Sequence, residues 1–470
     1  MTAASPAPLA SSSASPTSGP SVDSTAPPSL PPEASATLPV HGSARAIGEQ
    51  ILIAPGPGGT LFVSIPRPDG SVLAFLDERG QPRPGWPISV ENTTACDTLL
   101  PVDDGSVRVI CDATDLPPPE LHGVDARTHA LDVVGQPMAG WPIELLPELH
   151  TARVVGTVMT LLQRIPWGDV GQEGQPDGEL RIDTIAPDGD LETGTPAEWF
   201  GGCCAWEIGP DGRAYGIELV SGMAEGEAEV SEITALELAG IPAGWPASFD
   251  GIASGPAFGS GGRTVVTVGS YVRRTSRIIA FDRAGRAVTS AELPIATGAL
   301  LEFGVDGTYE CGVPSPRPPL VAADGTIFVF SEVDTATLAI DASLELMRGW
   351  PYQPLAPFVD RYAPTEGDLT CGSLALPAVG LDSTLYLPLQ ARDESVGGSL
   401  VAVGPDGRVR PGWPVELRRP GSEFWSVTVG SDGTAYALAI EPEAGGASSA
   451  SILAIAPDST VRWTTTVVDP

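Results

Sequence analysis

Gly85-Trp86-Pro87 recurs as Gly140-Trp141-Pro142, Gly244-Trp245-Pro246, Gly349-Trp350-Pro351 and Gly412-Trp413-Pro414. The intervals between these tryptophans are 55, 104, 105 and 63 residues, which a period of 50 to 60 explains once a decayed copy is placed inside each long interval. A period of that length marks a repeat architecture and overrides the several domains that 470 residues would otherwise suggest.

Working outward from Trp86, Gly59-Thr-Leu-Phe-Val-Ser-Ile65 reads as a strand and Pro68-Asp69-Gly70 as a turn. Ser71-Val-Leu-Ala-Phe-Leu76 is the next strand, and Asp77-Glu-Arg-Gly80 a second turn. The scheme returns with turns at Asp103-Asp104-Gly105, Pro187-Asp188-Gly189, Pro210-Asp211-Gly212, Asp282-Arg-Ala-Gly285, Ala323-Asp324-Gly325, Pro405-Asp406-Gly407 and Ser431-Asp432-Gly433. In such turns glycine takes positive φ and aspartate bonds to backbone two residues on, so these aspartates are turn formers first. The decayed copies are placed at Gly194-Thr195-Pro196 and Leu293-Pro294, and Trp463 stands in an eighth unit, 50 residues after Trp413. Four-stranded units repeated radially hide their sheet edges by closing a ring. The expectation is an all-β chain: a disordered tether over 1–40, then one eight-bladed β-propeller over 41–470, with seven blades as the alternative count. The expected blades are 46–90, 91–145, 146–198, 199–248, 249–295, 296–355, 356–417 and 418–470.

The tether follows from composition, since 31 of the first 40 residues are Ser, Ala, Pro or Thr and cannot bury a core. The chain carries 25 basic residues, all arginine, against 59 acidic ones, a net charge of -34. That balance argues against a nucleic-acid partner, which requires clustered cations. It serves solubility or a salty habitat. No apolar run is long enough to span a membrane, and no signal peptide is visible. A polar tether suits an exported protein, so the expected location is extracellular, periplasmic or tethered at the cell surface; a cytoplasmic chain with a polar tail is the alternative.

Ala74-Phe-Leu-Asp77-Glu-Arg-Gly80 to Trp86, Ala339-Ile-Asp341 to Trp350 and Ala454 to Trp463 resemble the Ala-x-Asp-x-x-Gly-x-Trp repeat of bacterial quinoprotein-type (PQQ-like) β-propellers. The resemblance covers nearly all of the chain after residue 45. It implies that Trp86, Trp141, Trp245, Trp350, Trp413 and Trp463 pack between neighbouring blades. It is specific for fold and poor for function, because dehydrogenases and assembly scaffolds share the repeat.

Six cysteines in an exported chain invite disulfides. A four-residue loop over 102–105 would set Cys96 opposite Cys111 on one hairpin. Cys311 and Cys371 occupy similar places in consecutive units and could bridge adjacent blades. Cys203 and Cys204 are left to a vicinal disulfide or to two free thiols. Quinoprotein alcohol dehydrogenases carry a vicinal disulfide beside their quinone, which this pair resembles; the Asn and Glu constellation that holds the quinone's metal has no match here. His41, His122, His129 and His150 show no zinc spacing, and without lysine no Gly-x4-Gly-Lys phosphate loop exists. The loop Asp112-Ala-Thr-Asp115 offers calcium two carboxylates but lacks the ordered ligand ladder. No metal site, catalytic residue or cofactor is therefore expected, with calcium left open.

Connections that lead from each motif to the next unit gather at one mouth of the ring. They lengthen and turn aromatic at Trp199-Phe200, at Phe303 to Tyr309, at Phe358-Val-Asp360-Arg361-Tyr362 and at Phe424-Trp425. Exposed aromatics with a few polar partners suit recognition; rings that only cap the channel are the structural alternative. The expected function is a monomeric binding or scaffold module for a protein or glycan at the cell surface. The alternative is a propeller enzyme, either a PQQ-dependent oxidoreductase or a glycan hydrolase or lyase.

Overall fold

The computed structural model describes residues 35–39, 51–67, 70–91, 93–113, 126–145, 149–166, 178–199, 205–221, 229–270, 275–295, 318–331, 336–354, 358–360, 377–391, 395–443 and 448–468. The protein is an all-β, eight-bladed propeller. Its sheets are blade 1 (Leu52–Glu91), blade 2 (Thr93–Glu144), blade 3 (Leu149–Trp199), blade 4 (Ala205–Asp250), blade 5 (Ile252–Glu292), blade 6 (Leu320–Ile340), blade 7 (Phe358–Glu416) and blade 8 (Glu423–Val468). Strands run antiparallel in chain order within each sheet. In blade 6 the fourth strand shrinks to the bridge between Thr337 and Tyr352. Helical structure among the described residues is confined to two three-residue turns, at Pro57–Gly59 and Ser260–Gly262.

The blades stand face to face because their middle strands are apolar on both sides. Successive side chains point to opposite faces, so Leu61, Val63 and Ile65 enter one interface while Phe62 enters the other. Eight apolar clusters result, each joining neighbouring blades, and the last joins Leu61 and Leu76 of blade 1 to Tyr436 and Ile452 of blade 8. This cluster closes the ring, helped by Thr465 Oγ1, which donates to the Gly80 carbonyl at 3.1 Å across 385 residues. The first strands of neighbouring blades lie against one another around most of the ring and so form its inner wall.

Ser35–Pro39 falls within the stretch read as a tether, yet it pairs in parallel with the last strand, Val461–Val468. An edge strand offers a row of backbone donors and acceptors, and Ser35–Pro39 takes them up.

Candidate functional site

The repeated residues are occupied by the architecture itself. Each Gly-Trp-Pro lies just ahead of the fourth strand, with a cis Trp-Pro bond. Its indole crosses to the next blade and donates from Nε1 to a backbone carbonyl in that blade's last turn. The pairs are Trp86 to Val133 (3.2 Å), Trp141 to Pro187 (3.2 Å), Trp245 to Arg283 (3.3 Å), Trp350 to Pro405 (3.0 Å) and Trp413 to Pro457 (3.0 Å). Every acceptor precedes the turn's positive-φ residue by two positions. The motif glycine is required because the backbones nearly touch: at Gly85, which has φ +91°, a Cβ would lie 2.1 Å from the Val134 carbonyl oxygen.

Within its own blade the indole meets the residue three places after the first turn's positive-φ residue. That residue is Phe62 for Trp86 (6.0 Å), Tyr215 for Trp245 (5.7 Å), Phe328 for Trp350 (5.5 Å) and Tyr386 for Trp413 (5.4 Å), all near edge-to-face. For Trp141 it is Arg108, whose guanidinium lies 5.4 Å from the ring centroid. Trp463 reaches its interface without glycine and proline; it packs on Tyr436 and over Gly80 of blade 1. All six tryptophans are buried.

The turn aspartates are likewise committed. Asp77, Asp132, Asp282 and Asp341 each accept two backbone N–H bonds at 2.8 to 3.0 Å. Asp104, Asp324 and Asp432 each accept one, at 2.8, 2.9 and 3.0 Å. Hydrogen bonds from Ser343 and the Glu345 backbone hold the Asp341 carboxyl below its usual range, and the Ser106 hydroxyl does the same for Asp104. These first and last turns of the blades share one face of the ring, since antiparallel strands put them at the same end. The opposite face carries the connections between middle strands and between blades.

On that opposite face only part of the aromatic set has a described position. Trp199 ends the strand Ala197–Trp199, and Phe358 and Asp360 lie in the strand Phe358–Asp360 that begins blade 7. Phe200, Phe303, Tyr309, Arg361 and Tyr362 lie outside the described residues, as do Cys203, Cys204, Cys311, Cys371 and Asp115. Phe424 and Trp425 prove to be strand residues within Glu423–Val429, so alternation sends them to opposite sides. Phe424, 1% exposed, enters the cluster between blades 7 and 8 and is not a surface aromatic. Trp425 is half-buried against the cluster between blades 8 and 1.

Cys96 and Cys111 form a disulfide inside the cluster between blades 1 and 2. The turn between them spans five residues, with Pro101 opposite Val107; a bulge between Cys96 and Thr98 restores the pairing. Blade 4 brings two carboxylates together: Glu218 stands opposite Glu232, which accepts a 2.5 Å bond from the Ser248 hydroxyl. Burial and the Glu232 charge raise the Glu218 pKa. Among the described residues no group of three His, Cys, Asp or Glu could hold a metal, and no helix is long and apolar enough to cross a membrane.

The chain matches no family model and no curated protein. It is similar to solved propellers. Virginiamycin B lyase from Staphylococcus aureus shares 14% identity, with a TM-score of 0.34 over 64% of this chain and 87% of that one. The β-propeller domain of the Trilobed protease from Pyrococcus furiosus shares 8%, with a TM-score of 0.41 over 86% and 92%. A quinoprotein alcohol dehydrogenase-like protein from Bacteroides thetaiotaomicron shares 10%, with a TM-score of 0.36 over 78% and 66%. None of these likenesses carries an activity over to this chain.

Proposed function

We propose that the protein is an exported or surface-tethered binding module of the non-enzymatic PQQ-like kind, which recognises a protein or glycan through the face of long connections. The observation that supports this reading is the asymmetry of the two faces. One is tiled by short turns of repeated geometry whose aspartates and tryptophans are tied up internally. The opposite face receives the connections between blades, and in sequence the repeat is interrupted by the stretch 296–317, between blades 5 and 6, and by the stretch 361–376, between two segments of blade 7 that pair with the same strand. Residues outside the repeat are free to vary in sequence, which is how a fixed scaffold acquires a partner. Trp199, Phe200, Phe303, Tyr309, Phe358, Asp360, Arg361 and Tyr362 are the contact residues of this reading, with Trp425 at their edge. The Cys96–Cys111 disulfide supports an oxidising location.

The test is capture of surface proteins and glycans by the immobilised propeller, identified by mass spectrometry and on a glycan array. Replacing Phe358 and Tyr362 together by alanine should lower capture at least tenfold with no change in melting temperature. Trp425→Phe is assayed separately, because Trp425 also packs against the core. Capture unchanged in the double variant overturns the choice of face, and no saturable capture by the native protein overturns the binding reading.

A further inference from the structure

Two opposite charges come together on the inner wall of the ring. Leu149–Val155, the first strand of blade 3, carries Arg153, and Ala205–Ile208, the first strand of blade 4, carries Glu207. These strands lie against one another on the inner wall, yet both side chains are exposed. Neither can therefore be packed into a seam, and the space in front of them is open to solvent.

The hydrogen bonding of blade 4 shows where Arg153 points. Bonded and non-bonded pairs alternate along an antiparallel ladder, and the Gly209 N–H donates to the Arg213 carbonyl at 2.8 Å. With Glu207 opposite Tyr215, the next bonded pair falls on Glu207 and skips Ile208. The Ile208 carbonyl thus turns away from its own sheet, toward the ring axis. Arg153 Nη1 donates to that carbonyl at 3.0 Å, so backbone holds the guanidinium on the axial edge of blade 4.

Glu207 stands beside it without being paired to it. Trp206 and Ile208 pack into the cluster between blades 3 and 4, so alternation turns the Glu207 side chain the other way. Among the described residues Glu207 has no hydrogen-bond or ion-pair partner within contact distance; the guanidinium acts on it only through space. Burial raises the Glu207 pKa, and the Arg153 charge opposes that rise. An exposed carboxyl whose pKa is raised by surrounding protein faces water that the protein encloses, as the wall of a channel does.

A guanidinium has five N–H groups, and Arg153 uses one on Ile208, which leaves donors free for a carboxylate. The ionised Glu207 carboxyl offers acceptors only. A simple anion is attracted by one group and repelled by the other, and so is a simple cation. A molecule that carries both charges, set apart as these two groups are, is attracted at each end.

We propose that the inner wall where blades 3 and 4 meet is a binding site for a small zwitterion of the amino-acid class, with its carboxylate on Arg153 and its ammonium group on Glu207. The site lies on the channel wall and uses none of the connections assigned to the partner, so it stands or falls independently of that assignment.

The test is titration of the full-length protein by calorimetry at pH 7 with glycine, β-alanine, 4-aminobutyrate and 6-aminohexanoate, zwitterions with increasing distance between their charges. One saturable site per chain is expected, with affinity peaking at one member of the series. The acid and the amine of the same chain length as that member, each lacking one charge, should bind at least tenfold more weakly. Glu207→Gln should weaken the zwitterion at least tenfold with no change in melting temperature. Arg153 also fastens blade 3 to blade 4, so Arg153→Lys, which keeps the charge and loses the fork, is measured beside Arg153→Gln; both should bind more weakly than the native protein. Absence of saturable binding by every member of the series overturns the proposal. So does an acid or amine that binds as tightly as the zwitterion, or affinity unchanged by Glu207→Gln.

Discussion

His129 illustrates how much a single side chain is governed by the seam it faces. It sits in the third strand of blade 2 opposite Val109, with Nε2 buried and lacking a hydrogen-bond partner among the described residues. Burial, reinforced by the charge of Arg127, pushes its pKa down to about 4. The unfolded chain therefore binds a proton near pH 6.5 that the folded chain refuses, and stability should fall as pH drops from about 6.5 to about 4. The loss amounts to at most about 3 kcal/mol. Denaturation midpoints across that range should fall less steeply in His129→Gln than in the native protein, and the His129 ring protons should not titrate above pH 5 by NMR. A ring titrating at 6.5 would sink the argument. At this scale the sequence is a poor guide: His129 reads as an isolated histidine, and Phe424 as a loop aromatic. Only the strand bounds, with their alternation, show which way each points.

At the scale of the element, the Gly-Trp-Pro latch makes a quantitative demand. Trp413 is buried, meets Tyr386 edge-on and donates to Pro457 in the next blade. Trp413→Ala should cost about 3–5 kcal/mol through the cavity it leaves, whereas Trp413→Phe keeps most of the packing and forfeits mainly the hydrogen bond, about 1 kcal/mol. Thermal unfolding of the two variants ranks them; equal losses would mean that the ring's bulk is irrelevant. These elements were legible because turn and tryptophan recur at steady spacing. Where spacing changes, legibility ends. In blade 1, eight positions separate Gly80 from Ile88, which pairs with Leu73; in blade 5 only six separate Gly285 from Ala291, which pairs with the equivalent Ile278. Two residues have gone from the segment that carried the tryptophan. Leu293, donating to the Ser276 carbonyl, falls at the place of Val90 rather than Trp86, so Leu293-Pro294 is not the decayed copy. Gly194-Thr195-Pro196 does keep its contact, with the Thr195 backbone N–H donating to Leu238 at 2.7 Å. The cysteine pair was reached by counting outward from a turn one residue too short, and the bulge cancelled the error.

For the whole molecule, the N-terminal strand matters out of proportion to its length. Ser35–Pro39 covers the outer edge of blade 8, so truncation at residue 34 should leave melting and solubility unchanged, while truncation at residue 40 should bare that edge and promote association. Light scattering on the two truncations decides it, and identical behaviour would show that the edge needs no cover. Closure of eight blades was legible from arithmetic on one tripeptide. The altered packing between blades 5 and 6 was not, because it rests on ordinary-looking residues; Val265 reads as any strand valine until seven equivalent positions are laid beside it.

The two joints that lack a motif tryptophan stand two blades apart. A closed ring tolerates one weak joint, since its neighbours still hold both ends, but a second joint isolates whatever lies between. Here that is blades 4 and 5, from Ala205 to Glu292, bounded in the chain by segments 200–204 and 296–317. The circle is thus two arcs of unequal length, one of six blades and one of two, set off by the seams that Trp206 and Leu344 help to fill in place of a motif indole.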